Sequence, residues 1–399
     1  MGVGNFSFFG FDAVMKLHKQ LAALFHENHS TFVRAGFVNG LPGFIRKTNA
    51  GHLLSTAGLV TIIDIPRGTC LLLWGLVLAA MPISVADAAD ETAVVRQSLD
   101  DAWWTGPLLA ASPATLPQGH ALIEPYVFDS INNGQYDSRG GRHATPREND
   151  FGSLTYLLYG LTDAISTGVI PRFGYNEPSQ GPSSSSIGVG DITLQGSFRL
   201  SRFLDRGWLP AMALVVGETL PAGRYDRLGN RPSDGLGAGA YTTTVSLYSQ
   251  YYLWMPNGRI LRTRLDISQA WSNEVGIMDT SVYGTTQGFR GHANPGNSLT
   301  IDSAWEYSLT RHWVAAIDVA YVDSGSTRLQ GYYPQSLNGG ALLSNVDTES
   351  GSSQSLSLAP AVEYNWSSTV GVIVGAKWVA AGRNTSASII PVAAINLVF

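Results

Sequence analysis

The stretch Ser353–Trp366, SQSLSLAPAVEYNW, decides the fold. Leu356, Leu358, Pro360, Val362 and Tyr364 share one parity, and Ser355, Ser357, Ala359, Ala361 and Glu363 share the other. A period of two puts successive side chains on opposite faces of a strand. One face is apolar; the other is small, polar and acidic. In NSLTIDSAWEYSL (297–309), Leu299, Ile301, Trp305, Tyr307 and Leu309 likewise oppose Thr300, Asp302, Ala304, Glu306 and Ser308. GDITLQGSFRL (190–200) sets Ile192, Leu194, Phe198 and Leu200 against Asp191, Thr193, Gln195, Ser197 and Arg199, and GRILRTRLDIS (258–268) groups Arg262, Arg264, Asp266 and Ser268.

Twelve such stretches follow one another, near 119–129, 151–160, 164–174, 187–200, 207–220, 241–254, 258–270, 298–308, 312–323, 354–365, 368–379 and 386–399. Their length matters. Strands of soluble proteins usually run about five or six residues, whereas a tilted strand crossing a bilayer needs about 9–11. Tight connections (GLTD, SRFLDR, MPNG, LTRH, NWSS) alternate with long polar ones, as in barrels with short periplasmic turns and long external loops. Only the last external connection, near 380–385, is short.

A soluble sandwich would show the same dyad with its greasy face inward. The strand length, the even count, and Trp and Tyr at strand ends (Trp254, Trp271, Tyr307, Trp313, Tyr321, Tyr364, Trp366, Trp378) favour the inverted reading. The expectation is all-β: a transmembrane antiparallel barrel of about 12 strands over 119–399. In lipid every backbone group must be paired, so the last strand has to close on the first. One strand resists. In WLPAMALVVGETL (208–220), an inward Glu218 brings Met212, Leu214 and Val216 inside, so either the lumen is partly apolar there or a bulge shifts the register.

Composition agrees with a membrane partner. Charged residues make up 14% of the 399, low for a soluble domain, and a net charge of −5 with no Lys/Arg run excludes a nucleic-acid surface. The apolar run CLLLWGLVLAAMPIS (70–84), after Arg67 and before small residues at Ala86 and Ala88, reads as a signal peptide over 61–88, implying export to the cell outer membrane. Residues 1–60 hold three of the four lysines (Lys16, Lys19, Lys47) and read as an upstream extension without a defined fold. Residues 89–118, Pro-interrupted, read as a periplasmic segment that either plugs the mouth, anchored by Trp103 and Trp104, or lies on the surface.

On this register Glu124, Arg172, Asp191, Arg199, Arg262, Arg264, Asp266, Asp302, Glu306, Asp318, Glu363 and Lys377 all point inward. They are the candidate lumen-lining and selectivity residues. Neighbouring guanidinium and carboxylate groups can pair across the wall, and such ladders set pore width and ion preference, or simply fill a narrow barrel. An enzyme is not expected. Four histidines follow the signal (His120, His143, His292, His312), without metal-ligand spacing or cofactor motif, and His312 beside Ser308 reads as a chance pairing.

GVGDITLQGSFRL, followed by VVGETLPAGRYDRLGN, resembles the meta-pathway phenol-degradation transporter family of outer-membrane proteins, with Gly190, Asp191, Arg199, Leu220, Pro221 and Gly223 in the matching places. DDAWWTGPLLAASPATLPQGHALIEPYVF (100–128) looks like the start of their mature part, and the resemblance spans about 100–399. It implies an outer-membrane channel for small hydrophobic or aromatic compounds and no catalytic residues. The closing stretch SIIPVAAINLVF (388–399), ending on Phe399, looks like the signal read by the barrel-assembly machinery. The partners expected are therefore outer-membrane lipid, that machinery and a small-molecule substrate. The alternatives are a closed structural or partner-binding barrel with functional external loops, and a soluble secreted sandwich.

Overall fold

The computed structural model describes residues 95–204, 208–337 and 340–399. The expected extension (1–60) and signal peptide (61–88) lie outside the described residues. The first strands are β1 (Ala121–Tyr136), β2 (Arg142–Thr162), β3 (Ile165–Ile170), β4 (Arg172–Glu177), β5 (Gly188–Val189) and β6 (Ile192–Ser201). Next come β7 (Ala211–Leu220), β8 (Thr242–Trp254), β9 (Ile260–Ser272), β10 (Val275–Met278), β11 (Arg290–Asn294) and β12 (Ser298–Ser308). The chain finishes with β13 (Trp313–Ser324), β14 (Arg328–Leu337), β15 (Gly340–Glu349), β16 (Ser353–Asn365), β17 (Val370–Arg383) and β18 (Thr385–Val398).

Twelve of these pair antiparallel in the order β1, β18, β17, β16, β13, β12, β9, β8, β7, β6, β3, β2, and β2 pairs back with β1. The sheet closes on itself, which removes its edges. This is an outer-membrane-type barrel, and it overturns the sandwich, which needs two separate layers. The seam is made by the two ends of the expected barrel: Ala121 and Phe399 exchange backbone hydrogen bonds of 3.1 and 2.9 Å.

The faces are inverted relative to a soluble protein. Asp318, Glu306 and Glu363 are fully buried, whereas Trp378, Val374, Val362 and Ile395 are 46–57% exposed. Apolar side chains facing out and carboxylates facing in suit a hydrocarbon surround and a polar interior. Near the short-turn end Trp313, Tyr364 and Trp366 form an aromatic group with ring centroids 4.7 and 5.2 Å apart.

Three features depart from the sequence expectation. First, the strand after β2 is interrupted at Pro171, which has no N–H to give to a ladder. Ile170 pairs with Thr193 and Phe173 with Val189, so three residue steps face four, a bulge at Gly190–Asp191. Second, the loops read as polar contain a four-stranded sheet, β10-β11-β14-β15, around Val275, Ile277, Phe289 and Ala293. Third, Glu218 of β7 does not enter the lumen, although the lumen there is partly apolar and the β6–β7 pair carries a register shift between Arg199 and Ser201. Ala213 and Val215 are buried inward, whereas Glu218 shares the outward parity with Leu214 and Val216. It sits two residues from the strand end and accepts a 2.6 Å hydrogen bond from Thr243 Oγ1.

Candidate functional site: the occupied lumen

Residues 95–118 run through the interior of the barrel. They enter at the short-turn end, where Gln97 N donates to Gly258 O, its Nε2 donates to Ser308 Oγ, and Trp254 Nε1 donates to Gln97 O. A single 3-10 turn, Leu99–Asp101, capped by Ser98, comes next. Trp103 then lies edge-on to His312, with the Arg311 guanidinium 4.4 Å from its ring, and Trp104 lies 4.4 Å from that of Arg262. Both tryptophans of the expected anchor are thus stacked against barrel cations.

Beyond the tryptophans the backbone itself is held. Thr105 N and Gly106 N donate to Glu363 Oε2 at 2.6 and 3.1 Å. Leu108 N donates to Asp318 Oδ2, and Leu109 N and Ala110 N donate to Asp318 Oδ1, at 3.0–3.2 Å. Ala111 N donates to Asp266 Oδ2 at 2.6 Å, while Ala110 O accepts from Arg264 Nη1 at 2.8 Å. Six consecutive available N–H groups, interrupted only by Pro107, therefore fall on three wall carboxylates. Buried amides left unpaired are costly, so these contacts give the segment's backbone the acceptors it needs inside the barrel. Gly106 takes φ +125°, a conformation that L side chains rarely adopt, as the chain bends between the Glu363 and Asp318 contacts.

The side chains fit as well. Leu108 is buried among Ala316, Ala359, Ala361, Ile373 and Ala394. Small inward residues on β13, β16 and β18 leave the room that one leucine fills. Further along, Thr115 accepts a 3.1 Å hydrogen bond from Arg199 Nη1 and donates to Asp163 O, and Leu116 N donates to Ser166 Oγ. The segment leaves the lumen next to β1, whose first pairs lie at Ala121.

The twelve expected lumen residues divide into groups. Glu363, Asp318, Asp266, Arg264, Arg262 and Arg199 touch the segment directly. Arg262 and Glu306 form a buried bidentate ion pair on β9 and β12, with Arg264 Nε 3.4 Å from the same carboxylate. Asp302 is buried and faces Asp266 directly across the β9–β12 pair. Lys377 shares the inward parity of β17, and Glu124 accepts from Asn396 Nδ2 at 3.2 Å. Arg172 is accessible on the inward parity of β4. Asp191 does something else: projecting from the bulge, it accepts from Gly223 N and Ala238 N and so ties the 221–240 loop to the wall.

Sequence reading missed several contributors. Asn365 bonds both Thr105 Oγ1 and Trp103 O, and Gln250 receives Arg264 Nε at 3.0 Å. Each is an uncharged inward residue of its strand, so inward parity was the only signal. Ser308 and His312 do not form a catalytic pair. Ser308 donates to Thr310 O, and His312 Nδ1 lies 2.7 Å from Asn365 O.

No family model matches this chain, and no curated protein matches it. Among solved structures, the COG4313 outer membrane channel from Pseudomonas putida F1 aligns with a TM-score of 0.54 at 16% identity, over 72% of this chain and 98% of that one. The barrel fold is shared. The Pseudomonas putida toluene transporter TodX is similar at a TM-score of 0.38 and 11% identity, over 75% of this chain and 95% of its own. The CymD monoaromatic hydrocarbon channel is similar at 0.30 and 11%, over 71% and 89%.

Proposed function

We propose that this chain is an outer-membrane channel for small hydrophobic or aromatic compounds, held shut in this conformation by its own residues 95–118. The observation that carries the reading is the pairing of an oily exterior with a lumen whose buried carboxylates bind the segment's backbone. A barrel of this kind belongs in a bilayer, with its short turns on the periplasmic side and its long loops outside. The channel of Pseudomonas putida F1 has the same fold, and the resemblance to the meta-pathway phenol-degradation transporters supplies the substrate class. The alanine-lined pocket around Leu108 is consistent with an apolar passenger.

Transport then requires the segment to move. Glu363, Asp318, Asp266, Arg199, Arg262 and Arg264 act first as its holders and, when it leaves, as part of the lining that a solute meets. Export would rely on residues 61–88, and assembly on recognition of Phe399, which is 66% exposed at the seam. The test is conductance in planar bilayers together with uptake of candidate aromatics into proteoliposomes. A variant lacking residues 97–111 is expected to conduct far more than the full chain. If it forms barrels that pass neither ions nor aromatics, the closed structural barrel is the better reading. One observation favours that second reading: the long-loop end also carries the β10-β11-β14-β15 sheet and the tied 221–240 loop.

A further inference from the structure

We infer that the lumen vacated by residues 103–111 is a binding site for organic cations, small molecules that carry an ammonium group on an apolar body. This deepens the channel reading and rests on the segment being displaceable. The present occupant defines what the wall accepts. Residues 103–111, WWTGPLLAA, contain no charged side chain. They offer the wall six backbone N–H donors and one deeply seated apolar side chain, Leu108.

The wall is short of donors even with the segment in place. Asp266 Oδ1 and Asp302 Oδ1 are buried oxygens with no hydrogen-bond partner among the described residues, and the Glu363 carboxyl lies against that of Glu306. The nearby guanidinium groups are engaged with the wall itself: Arg262 with Glu306, and Arg264 with Glu306 and Gln250. Lys377 lies within electrostatic reach of Asp302. When the segment leaves, Asp318 loses three donors, Glu363 two and Asp266 one.

Buried carboxylates stripped of donors must regain them from whatever enters. A hydrocarbon brings none, and a carboxylate solute brings acceptors where donors are wanted. An ammonium brings three donors and a charge that favours the ionised form of the carboxyls it meets, while its apolar body can occupy the space of Leu108 between β13 and β16. Among small molecules of equal size, the cation is therefore the one that replaces both halves of the segment.

The experiment uses the full chain in lipid vesicles with Ala110→Cys and Cys70→Ser, so that one thiol reports on departure of the segment. Ala110 is 2% exposed, and labelling by an uncharged maleimide requires the segment to leave. Labelling is measured with phenethylammonium, 2-phenylethanol or benzoate. The expected result is an acceleration of about threefold or more by phenethylammonium and none by the other two, as charge-matched linings discriminate among solutes. Equal acceleration by all three, or none by any, overturns the proposal.

A second variant guards against misassembly of the first. The barrel lacking residues 97–111 is expected to pass potassium in preference to chloride and to be blocked by phenethylammonium but not benzoate. An anion-preferring or indifferent pore overturns the cation site while leaving the channel reading intact. A deleted barrel that does not conduct removes both.

Discussion

Asp318 is the residue on which most of the segment's grip converges, since one fully buried carboxylate takes three backbone amides. Asp318→Ala should weaken the closed state by about 1–3 kcal/mol, the usual cost of orphaning buried polar groups. Single-channel recording would show it as more frequent opening, and an unchanged record would mean the amides are held elsewhere. On β17, neighbouring residues separate the two faces. Val372→Arg places a charge on the lipid parity and should cost about 2–4 kcal/mol, seen as loss of the folded gel band. Gly371 lies on the inward parity, where a charge would be accepted if there were space for it. A Cβ there would come within 2.1 Å of Thr105 Oγ1 and 2.4 Å of Asn365 Oδ1, so Gly371→Arg should instead expel the segment and raise conductance. At the tip of the β1–β2 hairpin, the hydrogen bond from His143, with those of Gly141 N and Arg139 N, holds the Asp137 carboxyl at about 2 rather than 3.8. Because its folded value is depressed, the turn's stabilisation is present above pH ~4 and is lost as pH falls through about 2. Amide exchange at Gly141 read against pH would show protection fading in that window.

At the scale of elements, the barrel strands were legible because alternation repeats with little interruption and the tight turns carry their own chemistry. In β16 the parity of Leu356 through Tyr364 survives unbroken into the structure. What escaped was whatever breaks period two or depends on distant contacts. The bulge at Gly190–Asp191 shifts register by one residue, and β10, β11, β14 and β15 are short or Gly-interrupted segments whose core, Phe289 with Val275 and Ile277, forms only when remote loops meet. Glu218 misled because a charge was presumed to need the lumen, whereas near a strand end it can face outward and bond Thr243. The path of residues 95–118 could not be read locally at all, since their partners lie up to 262 residues away. Asp191→Ala tests one such long-range contact. Freeing Gly223 N and Ala238 N should leave the barrel intact but increase protease cleavage within 221–240, and cleavage equal to wild type would show that the loop is held without that carboxylate.

For the whole molecule, the physical picture is a soluble protein turned inside out. The charges of its barrel strands face mostly inward, where they bond one another and residues 95–118 and leave a few carboxylate oxygens unpartnered. Its apolar parity faces outward over strands long enough to cross a bilayer. Both halves of that picture can be read in one experiment, quenching of tryptophan fluorescence by brominated phospholipids in proteoliposomes. Two variants are compared, one retaining only Trp378, which is 50% exposed on the outer face, and one retaining only Trp104, stacked on Arg262 inside. Strong quenching of Trp378 with little or none of Trp104 is the predicted result. Equal quenching of both, or protection of Trp378, would contradict the inside-out arrangement.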